Sequence, residues 1–153
     1  MACERVNILC VGNALHGDDG LGEAVFDALG AQTLPAGVRV FRVPFVGLEA
    51  LSGFEHCDRV LVVDALSGYG EPGSVHVLDP GAVVDEAAPV GHGAGLGYWL
   101  AQLSGWLDPL PEVEVVGVEM AQARPFVPGL SAPVRAALPA VCQRLHERMA
   151  AHA

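Results

Sequence analysis

Val60-Leu61-Val62-Val63 is an unbroken run of branched aliphatic residues that stops at Asp64, and an earlier run, Val6 to Val11, is apolar apart from Asn7. Strands written this way keep no face for water. They belong inside a sheet covered on both sides, the ordinary setting of parallel strands joined by helical crossovers.

The segments between the runs fit that frame. After the first strand, Leu21, Ala24, Val25, Ala28 and Leu29 recur at helical spacing and predict a helix ending near Gly30. Val38 to Val43 alternates as a strand, Gly47 to Phe54 can form a short helix, and Ser74 to Leu78 reads as an edge strand entered through a Gly/Pro turn. A Pro/Gly/acid stretch from Asp79 to Gly91 precedes a helix that begins close to His92 and carries Leu96, Trp99, Leu100, Leu103 and Leu107 on one face. Val113 to Val118 supplies another strand. The last helix starts with Ser131 as N-cap and Pro133 in its first turn, and Pro139 is placed to kink it. Strand and helix alternate throughout, so the expected fold is a three-layer α/β/α sandwich with a mainly parallel central sheet. With 153 residues, one domain over 1–153 is expected.

Composition narrows the chemistry. All eight basic residues are arginine, which removes the P-loop lysine, Schiff-base chemistry and lysine general bases together. A net charge of −10 argues against nucleic acid, whose phosphates need a concentrated basic surface. No run is long enough for a membrane span, and no basic, apolar leader opens the chain. The four cysteines have neither C-x-x-C spacing nor the density of a stapled secreted domain, so reduced thiols and a cytoplasmic location are expected.

Ligands of such sheets gather beyond the carboxyl ends of the strands. Three places supply polar groups there: Asn13, Asp18 and Asp19 in the glycine-rich loop Gly12–Gly22, Asp64 after the third strand, and His92 at a helix start. Each also has an ordinary explanation. Asp18 or Asp19 could cap the following helix, Asp64 could initiate a turn, and His92 could sit in a solvated loop. A helix start lowers imidazole pKa and keeps the neutral ligand form available, so two carboxylates and this imidazole would suit a divalent transition metal. Other chemistries lack their motifs: there is no G-x-G-x-x-G, G-x-S-x-G or H-E-x-x-H, and Cys10 and Cys57 read as core thiols. His16 reads as a solvated loop residue. Trp99 and Trp106, at helical spacing, read as core, whereas Phe126 is open between core and docking patch.

The opening strand with Gly12-Asn13, the pair Asp18-Asp19 with Gly20 and Gly22, the strand ending at Asp64-Ala65, and His92 with Gly95-Leu96 together resemble the hydrogenase maturation endopeptidases. The similarity continues through Gly117-Val118 and Pro128-Gly129-Leu130-Ser131. It implies an aspartyl-type endopeptidase that removes a C-terminal extension from the large-subunit precursor of a nickel-containing hydrogenase after nickel insertion. By this resemblance Asp19, Asp64 and His92 hold the metal, which is nickel supplied by the substrate. Asp18 and Asn13 shape the loop, and Asp18 is also a candidate catalytic group that orients a water. Pro44-Phe45-Val46-Gly47 stands where the family usually has Gly-Thr-x-Gly, and Glu119-Met120-Ala121 lacks the usual proline. The alternative is a non-catalytic nickel-sensing partner of the same subunit, using the same three ligands.

Overall fold

A computed structural model describes residues 3–44, 47–83, 96–121 and 126–150. Its frame is a five-stranded sheet in the order β2-β1-β3-β5-β4, formed by β1 (Val6–Val11), β2 (Val38–Val43), β3 (Arg59–Leu66), β4 (Val75–Leu78) and β5 (Glu112–Glu119). Neighbouring strands are parallel except β4, which pairs antiparallel with β5 at the edge. Every residue of β1 and β3 is buried, as their apolar runs require of the two strands nearest the middle.

Helices α1 (Leu21–Gly30), α2 (Leu96–Trp106) and α3 (Ala132–Ala150) cover the sheet. Alternation of side chains along each strand separates two cores. Ile8, Cys10, Leu61, Val63, Val116 and Val118 pack with α1 and α3. Leu9, Val11, Val60, Val62 and Val115 pack with α2 and with Phe54 of the 3-10 segment Leu48–Phe54. The architecture is the expected α/β sandwich. α3 runs through Pro139 without interruption. Trp99 is buried at 8% exposure, but Trp106 is 46% exposed and meets Trp99 only edge-on, so the core expectation holds for one tryptophan of the two.

Two polar side chains inside the frame tie its strands to neighbouring segments. Asn7 Nδ2 donates to the Gly53 carbonyl at 2.8 Å, tying β1 to the segment beneath it. At the amino end of β3, the buried Arg59 donates to Glu4 Oε1 at 2.7 Å and to the carbonyls of Arg148 and Met149, which anchors the end of α3. The opposite, carboxyl ends of β1, β3 and β5 are left for the polar loops. Among the described residues no helix is long and apolar enough to cross a membrane.

Candidate functional site at the carboxyl ends of the strands

Cys10 pairs with Val63 across the parallel β1/β3 ladder, so the next step along each strand sets Asp64 level with Val11, at the edge from which the Gly12–Gly22 loop departs. Asp64 is 6% exposed, and the N–H of Ala65 donates to its Oδ1 at 2.8 Å. Gly12 is at φ 134°, and a Cβ there would collide with the Asp19 carbonyl oxygen, so only glycine lets the loop fold back on itself. That return brings Asp19 Oδ2 to 2.9 Å from the Asn13 N–H, while Asn13 Oδ1 accepts the Leu15 N–H at 2.9 Å. The two adjacent acids of the motif are held by different partners.

Asp18 and Asp19 form a 3-10 turn with Gly20, and the N-cap of α1 is Gly20, which has no side-chain cap. The capping explanation for the acid pair therefore fails for α1. Asp18 turns inward instead, at 1% exposure, and serves the far end of the chain. Its Oδ1 accepts the Ser131 N–H at 2.7 Å, and its Oδ2 accepts the Ser131 hydroxyl at 2.8 Å and the Ala121 N–H at 2.9 Å. Both oxygens are committed to the protein, which suits a positioning role better than the expected orientation of a water. Asp19, partly exposed, stays at the rim.

His92, the third expected ligand, lies outside the described residues, as do Phe45 and Val46 of the altered loop. Among the described residues no three His, Cys, Asp or Glu side chains cluster closely enough to hold a metal. The structure thus brings Asp19 and Asp64 to neighbouring strand ends. Two hard carboxylates there suit a divalent cation, and an imidazole would complete a mixed N/O set typical of first-row transition metals.

One acid of this edge escaped the sequence reading. Glu119 ends β5 as Asp64 follows the apolar part of β3, and it is 6% exposed. Its carboxylate accepts the N–H groups of Gly68 at 2.6 Å and Tyr69 at 3.1 Å, fixing the loop after β3. The signal was available, because an acid closing the apolar run Val115–Val118 repeats the pattern that singled out Asp64. On the β2 side, a cavity of about 130 Å³ is bordered by Gly12, Asn13 and Arg42, whose guanidinium pairs with Glu23 at 3.0 Å. His16 is not merely solvated: its Nδ1 accepts the Phe126 N–H at 3.0 Å.

Three of the four thiols are unprepared for attack. Burial, with Cys142 adding to it, pushes Cys10 from 9.0 up to about 12. Burial also raises Cys57 and Cys142, whereas a nucleophilic cysteine needs its pKa lowered.

Known proteins share this sequence pattern and this fold. The family model of the hydrogenase maturation protease matches residues 25–148. The hydrogenase 3 maturation protease of Escherichia coli K12 is 28% identical over 142 residues, covering 90% of this chain and 86% of its own. Among solved structures, the hydrogenase maturating endopeptidase HybD from E. coli superimposes with a TM-score of 0.79 at 26% identity, covering 92% of this chain and 89% of that one. A hydrogenase 2 maturation peptidase from a Thaumarchaeota archaeon gives 0.68 at 28% identity, with 96% and 99% covered.

Proposed function

Because this chain belongs to the hydrogenase maturation protease family, we propose that it cleaves the C-terminal extension from the large-subunit precursor of a nickel-containing hydrogenase, once that precursor carries nickel. The observation that supports this most directly is the delivery of Asp19 and Asp64 to the carboxyl ends of the adjacent strands β1 and β3.

In this reading Asp19, Asp64 and His92 grip the nickel of the substrate and so place the scissile peptide at the rim. A metal so placed polarises a carbonyl or lowers the pKa of an attacking water. The protein's part is positional: Asn13 and Ala65 orient the two carboxylates through backbone N–H groups, and Asp18 fixes the turn from within. Burial holds the thiols of Cys10, Cys57 and Cys142 in the protonated form, and the sequence has no lysine, so neither these thiols nor an amine is prepared as a nucleophile. The natural setting for such processing is the cytoplasm.

The test is the intact mass of a nickel-loaded large-subunit precursor incubated with the protein. The expected result is a nickel-dependent loss of a C-terminal peptide, absent with the Asp19→Ala or His92→Ala variant. An unchanged mass with well-folded protein would overturn the catalytic reading in favour of a nickel-sensing partner.

A further inference from the structure

The chain between β5 and α3 is tied at both ends by one side chain, since Ala121 and Ser131 both donate to the Asp18 carboxylate. The described part of this loop, from Phe126 onward, lies against the turn that carries the acids. Phe126 N–H donates to His16 Nδ1 at 3.0 Å, its ring meets the imidazole edge-on at 5.0 Å, and Gly17 N–H donates to the Val127 carbonyl at 2.9 Å. Despite these ties Phe126 is 80% exposed, and Val127 and Leu15 are exposed with it. Its φ of 60° lies in the left-handed region, which a bulky residue occupies only when its surroundings hold it there. A strained backbone that turns an aromatic ring outward adds little to this fold. Strain and apolar exposure at one place point to an interaction surface.

We propose that Phe126, with Val127 and Leu15, is the surface on which the folded body of the precursor docks; this rests on the processing activity proposed above. The occupant follows from continuity, because His16 and Gly17, which hold the tip, belong to the same turn as Asp19. A chain end that reaches Asp19 brings the body it emerges from against Phe126. The matching face is apolar, so the contact adds affinity and leaves the chemical step untouched.

Phe126→Gly is the informative variant, since glycine adopts a φ of 60° freely and keeps the N–H that His16 accepts. The expected result is an unchanged Tm, a dissociation constant for immobilised nickel-loaded precursor raised about tenfold or more, and an unchanged kcat at saturating precursor. Leu15→Ser weakens binding in the same direction. An unchanged dissociation constant for Phe126→Gly overturns the proposal, and so does failure of the wild-type protein to bind the precursor. If the wild-type protein binds without shortening the precursor, the processing reading falls, and the docking surface is then decided by the binding series alone.

Discussion

A carboxylate withdrawn from water needs hydrogen bonds in water's place, and Asp18 obtains three from residues more than a hundred positions further along the chain. Asp18→Ala leaves the N–H groups of Ala121 and Ser131 without their acceptor, and urea unfolding is expected to show a loss of about 2–4 kcal/mol. Asp19→Ala removes a rim carboxylate instead. It is expected to unfold within about 1 kcal/mol of the wild type, as partly exposed substitutions do, while intact-mass analysis shows no processing. Equal destabilisation by the two variants would contradict this division of labour. The adjacent acids were visible in the sequence as a pair, but their separation into an inward clasp and a rim group was not. Neighbours in sequence share a local pattern, whereas the partners that distinguish them, Ser131 and Ala121, are brought in by the fold.

At the scale of elements, the glycine loop and the strand ends act as hinges with fixed settings. Gly12→Ala places a Cβ against the Asp19 carbonyl at a φ that favours glycine, so a cost of roughly 2 kcal/mol or more is expected, read as a lowered Tm with weakened processing. Glu119→Gln replaces a charged acceptor of two backbone N–H groups. Hydrogen exchange is expected to accelerate at Gly68 and Tyr69 while the β3 amides stay protected; unaltered exchange would show that the loop holds itself. The elements themselves were largely legible. β1 and β2 match their expected ranges, and β3, β4 and β5 lie within a few residues of theirs, because apolar periodicity is a local property that burial enforces. Arg59 was not, since a charged residue beside an apolar run looks like a boundary until its buried partners are known, and the burial of Glu119 was legible only through its likeness to Asp64.

At the scale of the whole molecule, the core beneath α1 and α3 holds a thiol that links stability to alkaline pH. Cys10 would ionise near 9.0 in the unfolded chain but only near 12 in the fold. Stability is therefore complete below about pH 9 and falls as pH rises towards 12, because the unfolded state sheds a proton that the folded state retains, with a ceiling on the order of 4 kcal/mol. The Tm of the wild type is expected to drop between about pH 9 and pH 12, and more steeply than that of Cys10→Ala; parallel curves would place the alkaline sensitivity elsewhere. The sequence by itself determined the α/β layering, the parallel strands and the positions at which acids leave the apolar runs, since each follows from hydrophobic pattern and local chain chemistry. Only the tertiary structure decided that β3 lies between β1 and β5, that Asp18 clasps the start of α3, and that Phe126 is held outward beside His16. Those outcomes depend on contacts between distant segments, and no local period records which segments will meet.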